Sequence, residues 1–145
     1  MEPSELPQLI RRKFSAALLA IRIASALAFL YHGAAITFGA FGGPGPEKFA
    51  AFTHMPLVAG YLVGLAQLAG GLAMLTGVLI RVGAVCIIIV MLGAIFLVHL
   101  PHGSDIGHGG IEYALTQLLV AFAILLTGPG AYSLAGSLPA SLRRL

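Results

Sequence analysis

Several polar side chains lie within or at the edge of long apolar runs, where such groups are costly. The run at residues 109–126 begins with two glycines and then carries Glu112, Tyr113 and Gln117 among apolar residues. Other apolar runs are interrupted by His32, Gln67 and His99. Carboxyl and imidazole groups exchange protons, and amide, imidazole and phenol groups form hydrogen bonds. Together they could bind and protonate a small molecule in an apolar surrounding.

The composition predicts that these residues lie in a membrane protein. Of the 145 residues, 59% are hydrophobic and only 9% are charged, and the mean hydropathy is +0.99. A soluble domain has about 25% charged residues, so most of this surface must face lipid. The net charge of +3 is small, and the basic residues stand at the ends of apolar segments, which gives no basis for nucleic-acid binding. Cys86 is the single cysteine, so it cannot form an internal disulfide.

Four apolar segments are long enough to cross a membrane, which takes about 20 residues. They cover residues 16–38, 57–79, 82–100 and 111–128, and breaks rich in Gly and Pro separate most of them. In the first break, residues 46–53 predict a short helix at the membrane surface. We therefore expect an all-α protein, with residues 1–145 forming one integral membrane four-helix bundle.

The basic residues predict the orientation of this bundle. Four spans place both termini on the same side as the turn between the second and third spans. That side would carry Arg11, Arg12, Lys13, Arg81, Arg143 and Arg144. The other side would carry only Lys48, so the positive-inside rule predicts that the N and C termini are cytoplasmic.

This orientation brings the polar side chains to similar depths. At about 1.5 Å per residue, His32 would lie roughly 10 Å inside the outer end of the first span. His99 and Glu112 would lie at the outer ends of the third and fourth spans. Gln67 would lie near the middle of the second. We therefore expect a polar pocket in the outer half of the bundle.

Helical spacing predicts which residues share a face. The predicted stripes are Arg22, Ser25, Phe29, His32, Ile36 and Gly39; Gly60, Gly64, Gln67 and Gly71; Ile88, Leu92, Ile95 and His99; Glu112, Thr116 and Leu119; and Tyr113 with Gln117. The glycines of the second stripe favour close helix packing, which would point Gln67 inward. Glu112 and Gln117 lie on different faces of the helix, so we do not expect them to contribute to the same site.

Each polar residue also has a purely structural interpretation. The side chain of Arg22 would extend to the cytoplasmic headgroups. His32 would be a neutral histidine with one hydrogen bond, and His99 would lie at the interface. Glu112 is the hardest to explain in this way, although the free amides of a first helical turn favour a carboxylate.

With these residues located, the sequence resembles the DoxX family of small bacterial membrane proteins. The matching stretches are LAIRIASALAFLYHGAAITFGAFGG (19–43), AGYLVGLAQLAGGLAMLTGVLIRVGA (59–84), VMLGAIFLVH (90–99) and GGIEYALTQLLVAFAILLTGPGAYSL (109–134). Their ordered motifs are Tyr31-His32-Gly33, Gly70-Gly71, Leu79-Ile80-Arg81, Gly109-Gly110-x-Glu112-Tyr113 and Gly128-Pro129-Gly130.

The resemblance implies a four-helix bundle in the bacterial inner membrane with both termini inside. It also implies a role in redox physiology, because family members are associated with quinone-coupled sulfur oxidation, quinone resistance and oxidative-stress complexes. His32, Arg81, Glu112 and Tyr113 match family motifs. Gln67 stands where the family often has a glutamate, which weakens a proton-carrying role at that position.

The first functional hypothesis is a membrane component of a quinone-linked oxidoreductase or redox-stress system. Its candidate pocket comprises His32, Gln67, His99, Glu112 and Tyr113. His32 would donate to a quinone carbonyl, and Glu112 would exchange protons with the outer face. The sequence has no Rossmann fingerprint, P-loop or C-x-x-C motif, so electrons would come from a partner. The chain would then be a membrane subunit rather than a stand-alone enzyme.

Two alternatives remain open. The chain could be a non-catalytic membrane anchor or assembly subunit, in which Glu112 pairs with His32 or caps the fourth span. It could also hold haem or a metal, with His32 and His99 as ligands. In each case the expected partners are membrane lipid and either a larger redox complex or further copies of the chain.

Overall fold

The computed structural model describes residues 5–137 and 139, and it is all-helical over this part of the chain. Its helices are α1 (Glu5–Phe38), α2 (Gly45–Phe52), α3 (Leu57–Thr76), α4 (Ile80–Ala94) and α5 (Glu112–Thr127). A π-helical segment, Ile95–His99, and a 3-10 turn, Leu100–His102, extend α4. Arg143 and Arg144, which entered the orientation argument, lie outside the described residues.

Three helical segments are long and apolar enough to cross a membrane. They are Pro7–Phe38, Leu57–Thr76 and Ile80–His102. α5 is apolar too but has 16 residues, fewer than a span of about 20. Large apolar side chains cover the outside of these helices, such as Leu27, Leu62 and Leu126, each more than 60% exposed. This is the surface of a multi-pass membrane protein.

The helix α1 begins well before the predicted span. Its 34 residues extend for about 50 Å, whereas the hydrocarbon core is about 30 Å thick. Arg11, Arg12 and Lys13 lie in the exposed first part of the helix. The apolar window at 16–38 therefore marked the part of α1 that suits lipid, and the helix itself continues beyond it.

Glycines allow the backbones of α1 and α3 to approach each other. A Cβ atom on Gly33 would lie 2.8 Å from the backbone nitrogen of Leu68, and one on Gly71 would lie 3.0 Å from that of Leu30. Gly64 faces Thr37 in the same way. Gly60 belongs to another contact, because its added Cβ would lie 2.7 Å from the Pro46 oxygen of α2. The glycines of the predicted stripe therefore pack against two neighbouring helices, α1 and α2.

The helices α3, α4 and α5 follow one another in antiparallel contact, and α5 also contacts α1. The side chains of α4 and its π-helical extension that reach the core are Ile80, Ala84, Ile87, Met91 and Ile95, each at most 7% exposed. The predicted stripe is wrong at Leu92, which is 40% exposed, whereas its members Ile95 and His99 do face the interior. α4 is apolar on all sides, so its sequence pattern could not distinguish the core face from the face one residue away.

Candidate ligand-binding cavity

A cavity of about 410 Å³ lies between the helices in the half of the protein that contains His99. Its walls are predominantly apolar and come from all five helices. The apolar lining comprises Phe29, Ile36, Phe49, Phe52, Met55, Val63, Ile89, Val90, Met91, Gly93, Ala94, Val98 and Ala114. The volume falls within the range of small-molecule sites, about 300–1,000 Å³.

Four of the five predicted pocket residues line this cavity. They are His32 of α1, Gln67 of α3, His99 at the end of the π-helical segment and Tyr113 of α5. The ring centroids of His32 and Tyr113 are 6.1 Å apart. His32 is exposed, so its ring lies where the cavity meets the surroundings. Four helical segments therefore present polar groups to one apolar space.

Three of these polar groups have no hydrogen-bond partner among the described residues: the His32 imidazole, the Gln67 amide and the Tyr113 hydroxyl. Gln67 is only 5% exposed. The fold thus places hydrogen-bonding groups along an apolar cavity without using them in its own described hydrogen bonds.

His99 differs from the other three because one of its ring nitrogens is engaged. Its Nδ1 lies 2.6 Å from the backbone oxygen of Gly109. A carbonyl oxygen can only accept, so Nδ1 carries the proton of this hydrogen bond. In the neutral ring the other nitrogen, Nε2, is then an acceptor. The loop before α5 therefore sets the tautomer of a residue in the cavity wall.

Glu112 lies outside the cavity, which corrects the predicted pocket. It is exposed, and its Oε2 accepts a hydrogen bond from the Ile106 amide at 3.2 Å. It neither contacts His32 nor caps α5 with its side chain. Its face of α5, with Thr116 and Leu119, points outward, whereas Tyr113 and Gln117 are partly buried. The carboxylate instead stabilises the loop that holds Gly109.

Replacing Glu112 with alanine should therefore lower stability slightly and leave the cavity unchanged. We expect a loss of about 1 kcal/mol, from one hydrogen bond to a charged group at a helix start. A thermal melt of purified protein in detergent measures this change. Thr116→Ala, on the same exposed face, is the control. A collapse of ligand binding in Glu112→Ala alone would contradict this assignment.

The sequence prediction missed the part of the cavity wall that α2 supplies. Phe49, Phe52, Thr53 and Met55 line the cavity from α2 and the residues after it. The predicted helix at 46–53 is present as Gly45–Phe52. Phe49 and Phe52 of this helix, which was predicted to lie at the membrane surface, contribute to the cavity wall. Because α2 is held against Gly60 of α3, these rings cover one side of the cavity.

At the opposite end of the protein, Arg22 is buried, with 1% of its surface exposed. The expected extension of this side chain to the headgroups is therefore wrong. Its Nε donates to the Met74 oxygen at 2.8 Å and its Nη2 to the Leu75 oxygen at 3.2 Å. Its Nη1 donates to the oxygens of Pro129 and Tyr132, at 2.6 and 2.8 Å. Arg22 thus joins the ends of α3 and the segment after α5.

The backbone around Arg22 explains why burial is favourable. The last carbonyls of a helix carry partial negative charge and lack partners within the helix. Met74 and Leu75 are such residues of α3, and Gly77 ends the helix with φ 75°. A Cβ on Gly77 would lie 2.8 Å from Arg22 Nη2. We call Arg22 with its four carbonyl acceptors the arginine clasp.

Between the clasp and the cavity the interior is closed by one polar pair and by packed apolar side chains. Ser25 Oγ donates to Gln117 Oε1 at 2.9 Å, joining α1 to α5. Ser25 is 1% exposed, and Ala26, Ile87, Ala121 and Ile124 are fully or nearly fully buried. The sequence prediction placed Ser25 on the His32 face and Gln117 on the Tyr113 face, but it did not pair them.

Arg81 lies at the same end as the clasp and contacts the end of α5. Its Nε donates to the Leu125 oxygen at 3.3 Å. The two arginines thus connect consecutive helix ends on one side of the protein. Within the described residues, no group of three or more His, Cys, Asp or Glu side chains is placed to hold a metal ion.

Comparison with known proteins identifies one family. The sequence model of DoxX matches residues 17–100, more than half of the chain. This range contains Arg22, His32, Gln67, Arg81 and His99, and it ends before α5. No curated protein and no solved structure matches the chain.

Proposed function

We propose that this chain, which belongs to the DoxX family, binds the headgroup of a membrane quinone in its cavity. It would serve as the membrane subunit of a quinone-linked oxidoreductase or redox-stress system. The observation that carries the proposal is a set of polar groups that line an apolar cavity and have no hydrogen-bond partner among the described residues: His32, Gln67 and Tyr113. An apolar molecule with a few polar atoms is the ligand class that suits this lining.

The proposed topology is a four-helix bundle in the bacterial inner membrane, with α5 as the fourth span. Its support is the antiparallel contact of α5 with α4 and the outward apolar residues of α5, such as Phe122 and Leu126. The end with the arginine clasp and Arg81 would face the cytoplasm, because most basic residues lie there. The cavity would then lie in the outer half of the membrane.

The residues present fit a quinone headgroup. Its ring is flat and apolar, and its two carbonyl oxygens need hydrogen-bond donors. The Gln67 amide, the Tyr113 hydroxyl and the His32 imidazole can each donate one hydrogen bond. Phe29, Phe49 and Ile36 supply apolar surface for the ring. When bound, a quinone supplies the two-electron, two-proton chemistry that these side chains lack.

The protein's own groups would bind and orient the headgroup and hold protons near it. His32, at the edge of the cavity, and His99, beside the loop before α5, connect the site to the surroundings. Electrons would come from a partner subunit, since the sequence carries no motif for an electron carrier.

The same observation weighs against a purely structural polar network in the cavity. In such a network His32, Gln67 and Tyr113 would hydrogen-bond to one another or to Glu112, and none does among the described residues. The structural polar contacts lie elsewhere, in the arginine clasp and in the pair Ser25–Gln117. An anchoring role for the whole protein would then not explain the cavity.

The direct test is to purify the protein from native membranes and to extract its lipids. Ubiquinone or menaquinone should co-purify at close to one molecule per chain, and stripped protein should bind added quinone saturably. The preparation should be made with and without its partner proteins. If no quinone is present in either preparation and none binds on titration, the proposal is refuted.

Gln67→Leu should stabilise the protein and weaken quinone binding. Leucine has nearly the volume of glutamine and removes a buried amide without a partner, so we expect a gain of about 1 kcal/mol in unfolding free energy. Loss of one hydrogen bond to the ligand should weaken binding about tenfold. Thermal melts and quinone titration of the same preparations measure the two effects.

The matched control is Gln117→Leu. This substitution removes an amide that does have a partner and leaves Ser25 without one, so stability should fall by about 1–2 kcal/mol while quinone affinity stays unchanged. Opposite changes in stability for Gln67→Leu and Gln117→Leu would distinguish a ligand site from a structural network. If both variants lose stability and neither changes binding, the cavity groups are structural.

A further inference from the structure

His99 is fixed as a hydrogen-bond acceptor at one end of the cavity. Nδ1–H of His99 donates a hydrogen bond to the Gly109 oxygen, and Nε2 has no hydrogen-bond partner within the described chain. The other polar groups are not restricted in this way: Gln67 and Tyr113 can each donate or accept, and the His32 tautomer is not set by any described hydrogen bond.

The Gly109 oxygen is itself held in position by the loop before α5. The Gly110 amide donates to the Asp105 oxygen at 2.8 Å, and the Ile111 amide donates to the Gly103 oxygen at 3.0 Å. Gly110 packs against the backbone of Ser104 so closely that a Cβ would not fit. The tautomer of His99 is therefore imposed by a folded loop.

This polarity distinguishes the two redox forms of a quinone. The oxidised form has two carbonyl oxygens, which only accept, and it would leave His99 Nε2 without a donor. The reduced form, the quinol, carries two hydroxyl groups. One can donate to His99 Nε2, and the other can pair with Gln67, Tyr113 or His32. His99 is half-buried in the cavity wall, so the quinol can form one more hydrogen bond with this wall than the quinone can.

We propose that His99 makes this cavity selective for the reduced, quinol form of the ligand. The inference rests on the proposed function and assigns His99 as its specificity-determining residue. The two forms differ by two electrons and two protons. The hydroxyl proton is shared in a hydrogen bond with Nε2 and is not transferred, so binding alone requires no oxidant or reductant.

The expected preference follows from this one additional hydrogen bond between the ligand and the cavity wall, and it corresponds to about a tenfold tighter binding of the quinol. Because selective binding of the reduced form raises the reduction potential of a couple, the bound couple should lie about 30 mV above the free one for each tenfold preference. The site would then hold the quinol until a stronger oxidant withdraws its electrons.

The experiment titrates the full-length protein in lipid nanodiscs with decylubiquinone and, under reducing conditions, with decylubiquinol. The two dissociation constants are compared, and a redox titration of the bound couple gives an independent value. We expect the quinol to bind about tenfold more tightly. Equal affinities, or tighter binding of the quinone, would overturn the inference and leave the proposed function standing. Binding of neither form would refute both.

The variant His99→Asn tests the two ring nitrogens of His99 separately. The asparagine amide can still donate to the Gly109 oxygen, but it has no acceptor at the position of Nε2. We expect this variant to keep its fold and its affinity for the quinone and to lose the preference for the quinol. His102→Asn is the matched control, because His102 makes a similar contact with the Val98 oxygen, 2.9 Å from its Nδ1, but does not line the cavity. If His99→Asn keeps the wild-type preference, His99 is not its source.

Discussion

Replacing Arg22 with leucine should cost this protein about 4 kcal/mol or more, enough to prevent stable accumulation in the membrane. The reason is the number of acceptors that one side chain serves. The carbonyl oxygens of Met74, Leu75, Pro129 and Tyr132 would all lose a charged donor whose side chain is buried. Thermal unfolding of detergent-purified protein, followed by size-exclusion chromatography, measures the effect.

Two further substitutions separate charge from geometry at this site. Arg22→Lys keeps the charge but cannot reach four acceptors with one ammonium group, so we expect it to recover less than half of the loss. Arg12→Leu removes a positive charge from the exposed first part of α1 and should change stability by no more than about 0.5 kcal/mol. If Arg22→Leu were as mild as Arg12→Leu, the arginine clasp would not contribute to the fold.

Gly33→Ala should be the second most damaging change, at about 3 kcal/mol. A methyl group there would lie 2.8 Å from the Leu68 nitrogen and 3.0 Å from the Gly64 oxygen. Both atoms belong to the α3 backbone, which cannot move aside as a side chain would. The helices α1 and α3 would have to separate, and the contact between Gly64 and Thr37 would open with them. The midpoint of thermal unfolding reports this loss.

The same substitution at Gly93 provides the matched control. Gly93 is also in a helix, but apart from its chain neighbours and the backbone of its own helix no atom lies within 4 Å of the position of an added Cβ. Alanine favours the helix over glycine by about 1 kcal/mol, so Gly93→Ala should leave the protein as stable or slightly more stable. A loss at Gly93 equal to that at Gly33 would mean that helix propensity rather than close packing determines both results.

The sequence was sufficient to predict the helices because their signal is strong and local. Long apolar runs broken by Gly and Pro give the approximate positions of α1, α3, α4 and α5, and even the short helix α2 was expected. The start of α1 was not predictable from hydropathy, because a helix can continue into polar sequence without a change of conformation. The DoxX resemblance proposed from the motifs is confirmed by the family match at residues 17–100.

The candidate site was predictable where helical spacing determines which way a side chain points. Gln67 was expected to point inward because glycines share its face, and it lines the cavity. Glu112 was misassigned because depth along a helix axis does not say on which side a residue lies. Its neighbour Tyr113, about 100° around the helix, faces the cavity instead.

Other features depended on contacts between residues far apart in the chain. The burial of Arg22 follows from carbonyl oxygens more than 50 and more than 100 residues away, at Met74 and Pro129. No local sequence pattern predicts that the end of α3 and the segment after α5 will meet at Arg22. The hydropathy of α4 was likewise uninformative about its core face, since nearly every side chain in it is apolar.

The π-helical segment Ile95–His99 has a consequence for how the length of this protein can vary. A π-turn closes its hydrogen bonds over five residues where an α-turn uses four, so it holds one residue more. A chain one residue shorter within this segment could relax to an α-helix and still carry His99 toward the cavity. The same deletion within Ile80–Ala94 would rotate every later residue of the helix by about 100°. A deletion of one residue should therefore be tolerated within Ile95–His99 but not within Ile80–Ala94.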